Sequence, residues 1–220
     1  MLRIVVATRM DAKEFVQRSP LAASVNRIAV ASSVRIDLRA SNKLGLSQVY
    51  NVALAEAEND ETILFVHDDV WIDDWQMPAR LADALEKYDV VGLAGNRRRL
   101  PKQGAWPFTD LLRTWDTEWL SGAVSHGEGK VSVYGPTPSP VKLLDGLFLA
   151  AKVSTLRTAG VSFDPQFAFH FYDLDFCRTC EDAGLTMGTW PIAVNHASGG
   201  SFGTPEWYAA YERYLVKWGE

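Results

Sequence analysis

Thr62-Ile63-Leu64-Phe65-Val66-His67-Asp68-Asp69-Val70 is the stretch from which the rest of the chain is read. Ile63 to Val66 is an unbroken apolar run, short enough for a strand buried on both faces. The run stops on His-Asp-Asp. Two adjacent carboxylates directly after a buried strand are costly unless something positive lies beside them. In open α/β sheets, ligands bind outside the carboxyl ends of the strands. The simplest partner for these acids is a divalent cation whose shell is completed by phosphate oxygens. On this stretch alone the alternative stays open, that Asp68 and Asp69 only turn the chain or cap the next helix.

Upstream, Arg3 to Thr8 reads as a first strand, Asp11 to Gln17 as a short helix, and Pro20 restarts a second helix through Val25. Val34 to Leu38 alternates as a second strand, so the N-terminal part is a βαβ unit and favours a parallel sheet. A polar loop, Ala40 to Leu46, leads to a helix. Ser47 is expected to cap it, with Val49, Val52, Ala53 and Ala57 facing the sheet and Tyr50 and Asn51 off that stripe.

Downstream, Asp73 or Asp74 is expected to cap a helix from about Trp75 to Tyr88, with Leu81 and Leu85 inward. Val90 to Ala94 reads as one strand. From Gly95 to Pro140 the pattern breaks down. This region holds a basic cluster, Arg97-Arg98-Arg99 and Lys102, suited to phosphate, to an acidic acceptor, or to plain solvation. It also holds a hairpin-like segment, Gly122 to Tyr134. Val141 to Gly146 and Leu147 to Ala151 restore strand character. Phe169 to Asp175 enters a helix that ends at Gly184, and His196 precedes a flexible Ser198-Gly199-Gly200-Ser201. Thr204 and Pro205 open a terminal helix with an aromatic stripe of Trp207, Tyr211, Tyr214, Leu215 and Trp218.

Length and composition fit one globular domain over residues 1–220, with 47% hydrophobic and 22% charged residues. A net charge of −5 argues against general nucleic-acid binding. The first residues read as a strand rather than a signal peptide, and no window is apolar enough for a membrane span. A cytoplasmic protein is expected, with peripheral membrane contact left open. Eight tryptophans are many, and aromatic rings line sugar sites because C–H faces stack on them. Cys177 and Cys180 are spaced C-x-x-C but lie in a helix with no second pair, which favours packing over zinc or redox chemistry.

Three ionisable groups thus follow buried segments: His67-Asp68-Asp69, Asp173 with Asp175, and His196. One carboxylate plus one histidine fits manganese well and magnesium less well. A carboxylate on a separate element can serve as general base.

Three blocks in order carry a resemblance: Leu44 to Asn51; Phe65 to Val70; and Leu144-Asp145-Gly146 with Phe169 to Cys177 and Asn195 to Gly200. With them the chain resembles the family-2-like glycosyltransferases of GT-A fold, more narrowly the glycosyltransferase-like domain named after a streptomycin-biosynthesis protein. The resemblance implies a Rossmann-like α/β domain. Its mostly parallel central sheet would be flanked by helices, with an inserted loop and hairpin region at about 95–140 and the aromatic C-terminal helix. It implies a nucleotide-sugar donor, a divalent metal (Mn²⁺ or Mg²⁺) on the diphosphate, and a glycan or small-molecule hydroxyl acceptor.

By position, Asp69 matches the metal-binding acid of the DXD motif, and Asp68 the acid near the donor ribose or metal. His67 stands where that motif usually opens with Asp. Asp173 matches the catalytic base, Tyr172 replaces the acid beside it, and His196 matches a histidine that ligates metal in relatives. Asp145 and Gly146 match the segment lining the sugars, and Thr8 and Asp37 lie where the nucleotide base would sit. Direct displacement would invert the anomeric centre. Polysaccharide or secondary-metabolite glycosylation follows by association only.

Three rival readings carry their own tests. A sugar nucleotidyltransferase would need a Gly-rich loop after the first strand, and Ala7 to Asp11 has no glycine. A glycoside hydrolase would need no metal. A non-catalytic sugar-nucleotide or glycan-binding protein would bind donor without turnover.

Overall fold

The computed structural model describes residues 1–29 and 34–220. The first βαβ unit is built as expected. β1 (Leu2–Ala7) lies between β2 (Val34–Arg39) and β3 (Thr62–Val66), all parallel, with Ile4 level with Ile36 and Leu64. Between β1 and β2 run α1 (Ala12–Arg18) and α2 (Pro20–Ala29). Asp11 caps α1 by accepting the Glu14 N–H at 2.8 Å. Ser19, at the start of α2, accepts from the Ala22 N–H and donates its hydroxyl to the Asp68 carbonyl at 2.6 Å. That bond ties the acidic turn after β3 to the neighbouring helix.

α3 (Leu46–Glu56) departs from its expectation in two ways. Ser47 does not cap it; Gly45 precedes the helix, and the buried Ser47 hydroxyl donates to the Phe167 carbonyl at 2.6 Å. Val52 is 43% exposed while Tyr50 is fully buried. The helix packs on two surfaces rather than one. Val49 and Ala53 are buried, while the Tyr50 ring lies 4.6 Å from that of Phe65 in β3 and 5.2 Å from that of Phe163. Asn51 joins in by clasping both the N–H and the carbonyl of Phe163.

Two sheets share the core. The first has seven strands in the order β2-β1-β3-β11-β5-β12-β9, with β5 (Val90–Gly92), β9 (Ser139–Pro140), β11 (Phe148–Lys152) and β12 (Met187–Thr189). Only β11 and β9 run antiparallel to their neighbours. The second sheet is ordered β10-β6-β7-β13-β4, from β4 (Val70–Ile72), β6 (Ala94–Asn96), β7 (Leu120–His126), β10 (Leu143–Leu144) and β13 (Val194–His196). β8 (Lys130–Gly135) pairs with β7 as the expected hairpin.

The expected single strand Val90–Ala94 is therefore two. It breaks at Leu93, and its halves join different sheets. Residues 95–140 are not simply inserted, since β7 is the spine of the second sheet and β9 closes one edge of the first.

α4 (Met77–Ala84) is shorter than the expected Trp75–Tyr88. Pro78 sits in its first turn and Gln76 precedes it. Asp74 accepts the Gln76 N–H at 2.9 Å instead of capping. Leu81 and Leu85 are buried as expected. α5 (Val153–Thr158) follows β11, and α6 (Tyr172–Asp182) carries Cys177 and Cys180 as buried free thiols. α7 (Pro205–Trp218) is capped by Thr204, which accepts the Trp207 N–H at 3.2 Å. Its stripe packs inward: Trp207, Tyr211 and Tyr214 are buried, with rings 5.2, 5.7 and 5.2 Å from that of Phe171. Among the described residues, no helix is long and apolar enough to cross a membrane.

Candidate active site

The chain leaves β3 at His67 and re-enters as β4 at Val70, so His67, Asp68 and Asp69 form the turn between the two sheets. β13 lies antiparallel to β4 with His196 opposite Val70, and the Ala197 N–H donates to the Asp69 carbonyl at 3.1 Å. This pairing brings His196 beside Asp69, with Nε2 3.3 Å from Oδ1. One ligand atom each from His67, Asp69 and His196 can gather within 4.8 Å of one another.

Burial works against the charge on Asp69, but hydrogen bonds from His196 and Ser198 and the positive charge nearby carry its pKa well below the usual carboxylate range. Burial pushes the pKa of His67 down, against the opposing pull of Asp145 and Asp69. The Tyr172 hydroxyl donates to the Gly146 carbonyl at 2.8 Å and meets His67 Nε2 at 2.9 Å. Its single hydrogen is on the carbonyl, so Nε2 is the donor and the Nδ1 lone pair of His67 is free. Two imidazoles and one ionised carboxylate are a donor set that manganese accepts more readily than magnesium.

The second half of the site comes from the β10–β11 turn and the start of α6. β11 pairs antiparallel with β3, Phe148 opposite Val66, which delivers Asp145 and Gly146 to the end of β3. Asp145 accepts the Trp106 indole N–H at 2.8 Å and the Leu147 N–H at 2.9 Å. Gly146 donates its N–H to Asp173 Oδ2 at 3.1 Å, while Asp173 Oδ1 accepts the Leu174 N–H at 3.0 Å. A Cβ on Gly146 would collide with the Tyr172 hydroxyl and lie 3.0 Å from the Cβ of Asp173, so only glycine fits this approach.

Burial first, and the Asp145 charge second, push Asp173 up to about 7. Phe171, just before α6, is left-handed at φ 65°, a conformation costly for a non-glycine residue. The α7 aromatic rings pack around it.

Between these halves lies a cleft of about 410 Å³ that His67, Asp145, Gly146, Asp173 and His196 all line. Aromatic rings make much of its wall, among them Trp106, Trp115, Tyr134, Phe169 and Phe202. All four histidines of the protein line it.

Other residues singled out from sequence stand apart. Thr8, at the end of β1, is buried and accepts the Met10 N–H at 3.1 Å. The Asp37 carboxylate is engaged by Arg3 and Arg39. Asp68 faces neither the histidines nor Asp173 in any hydrogen bond. The basic run is tied internally. Arg98 grips Asp116 through two bonds of 2.9 and 2.6 Å, Arg99 lies by Glu181 and Glu220, and Arg97 donates to the Glu118 carbonyl. Sequence reasoning left His67 without a role, yet its place beside two acids at a strand end was the available signal. Nothing local marked Trp106, Tyr134 or Phe171.

A family model described as a glycosyltransferase-like family matches residues 6–198. No curated protein matches the chain in sequence. In fold the chain resembles three solved structures. Staphylococcus aureus TarS 1–349 shares 14% identity at a TM-score of 0.51, over 98% of this chain and 64% of that one. The catalytic domain of Drosophila β1,4-galactosyltransferase 7, in complex with xylobiose, shares 10% at 0.58, over 96% and 79%. GalNAc-T7 with UDP, GalNAc and Mn²⁺ shares 9% at 0.53, over 98% and 47%. The chain thus spans less than two thirds of the length of TarS 1–349 and about half that of GalNAc-T7.

Proposed function

We propose, because the chain belongs to the glycosyltransferase-like family, that it moves a sugar from a nucleotide-sugar donor to an acceptor hydroxyl with inversion. Asp173 acts as general base in this reading. The observation that carries it is the placement of a carboxylate of raised pKa, Asp173, in one cleft with His67 and His196 of the His-Asp-His group. A base with a pKa of about 7 is ionised often enough to accept a proton and basic enough to pull one.

The acceptor oxygen forms a bond to the anomeric carbon while the bond from that carbon to the diphosphate oxygen breaks. The broken bond's electrons leave with the nucleoside diphosphate, and the acceptor proton passes to Asp173. His67, Asp69 and His196 would hold a divalent metal; when bound, it would offset the negative charge of the leaving diphosphate. Tyr172 orients His67, and the Gly146 N–H holds Asp173 in place. The donor base and ribose would lie toward Thr8, Asp37 and Asp68, and the sugars toward Asp145 and Gly146. UDP is the first nucleotide to try, since TarS 1–349 has been solved in complex with it.

The test is thermal stability with UDP, GDP, TDP, ADP and CDP, each with and without Mn²⁺. A ligand at a hundred times its Kd adds about 2.7 kcal/mol to the folded state. A Mn²⁺-dependent rise with one nucleotide, lost in Asp69→Ala, is expected. Equal midpoints throughout would overturn the donor reading.

A further inference from the structure

The cleft has a composition that the transfer reaction alone does not require. Among the described residues, no lysine or arginine lines it, although the chain has 22 basic residues. Its carboxyl groups are Asp145 and Asp173, the second being the proton acceptor of the reading above. The nearest basic run, Arg97 to Arg99, is held by Asp116, Glu181, Glu220 and the Glu118 carbonyl. Arg113 stacks 5.7 Å from the Phe202 ring, donates to the Phe202 carbonyl, and is not part of the wall. A phosphate or carboxylate on the acceptor would therefore meet the Asp145 carboxylate and no lysine or arginine in the wall, Lys130 lying outside it opposite His126, in a site where burial strengthens the repulsion.

What the cleft offers instead is ring faces interleaved with hydrogen-bonding groups. Trp115 and Phe169 line the cleft and are 51% and 53% exposed, with Trp115 stacked on Tyr134. His126, His170, Ser132, Ser198 and Ser201 stand among them. His126 and Ser198 already meet Tyr134 and His196, but an aliphatic or purely aromatic acceptor would leave His170 and Ser201 without a partner on binding. A pyranose satisfies both, since its C–H face stacks on a ring and its hydroxyls reach the polar groups.

We infer that the acceptor is an uncharged saccharide, stacked on Trp115 or Phe169 with its attacking hydroxyl directed at Asp173, and that anionic sugars are excluded. This rests on the transferase reading above. Chemically the step is the same: the saccharide O–H loses its proton to Asp173 as the new glycosidic bond forms and the nucleoside diphosphate departs.

The experiment uses the whole chain, Mn²⁺ and the nucleotide sugar it hydrolyses, and measures transfer to matched probes. The neutral set is glucose, galactose, xylose, cellobiose and xylobiose. The anionic set is glucuronate, galacturonate and glucose 6-phosphate. Expected is transfer at least about tenfold faster to a neutral probe than to its anionic counterpart. Trp115→Ala is expected to raise KM for that probe about tenfold with kcat little changed, and Trp115→Phe to restore it, with thermal midpoints equal to the parent. A preference for the anionic set overturns the inference. Donor hydrolysis with transfer to no probe also overturns it while leaving the transferase reading intact. Absence of hydrolysis with the sugars of every one of the five nucleotides counts against the transferase reading itself.

Discussion

Asp69 and Asp173 are carboxylates held in opposing environments. At the end of β3, Asp69 is pressed toward permanent ionisation by His196 and Ser198. At the start of α6, Asp173 has only backbone N–H partners, the Asp145 charge nearby, and a pKa of about 7. Both are aspartates at the margin of a buried element. They differ in what the fold brings beside them, a histidine on an adjacent strand for one and a second acid on an adjacent turn for the other. Environments that drive two acids apart in this way divide the work between an anchor for positive charge and a group that trades protons.

The largest test of that division is Asp173→Asn. Transfer is expected to fall by roughly 10²–10⁴, the usual worth of a general base, while the Mn²⁺-dependent rise in thermal midpoint with nucleotide persists. Asp69→Ala should do the reverse to binding: the midpoint no longer responds to nucleotide with Mn²⁺, and transfer falls by roughly 10²–10³ through lost charge stabilisation. If both variants lose the same property, the contrast is wrong.

The third test is pH. With Asp173 as the proposed base, transfer would need it ionised, so kcat/KM should fall about tenfold per unit as pH drops below about 7. Its effect on stability has the opposite sign. The folded chain keeps this proton to about pH 7 and the unfolded chain only to about 3.8, so the contribution is full below the lower value and is lost as pH rises through about 7. The smallest effect is expected from Asp145→Asn. It should move the acid limb of kcat/KM down by less than roughly one unit, because burial, the larger cause, stays in place. An unmoved limb would assign the shift to burial alone.

Much of the scaffold was legible because its signals are local. The β1–α–β2 unit, the capped α1 and α7, and the four-residue core of β3 follow from apolar runs and cap residues next to one another in sequence. The split of Val90–Ala94 was not legible, since a short apolar run looks the same whether it serves one sheet or two. Val52 and Tyr50 exchanged places because α3 answers to Phe163 and Phe65 as well as to the strands beside it, and that second surface is distant in sequence. Asp69, Asp173 and His196 stood out as ionisable groups after buried segments. The role available to His67 depends on Tyr172, more than a hundred positions away, and the partners of Arg97 to Arg99 lie scattered from Asp116 to Glu220. Such pairings are set by topology and leave no mark in a window of residues.

The gathering of every histidine into one cleft gives the protein a built-in spectroscopic reporter. Imidazole ring protons resonate apart from most other signals in a proton NMR spectrum, and here each of the four belongs to the same small volume. A paramagnetic ion entering the His67–Asp69–His196 group would broaden these resonances, those of the two ligands first and those of His126 and His170 after. Occupancy of the cleft could then be followed in unlabelled protein, with no probe attached.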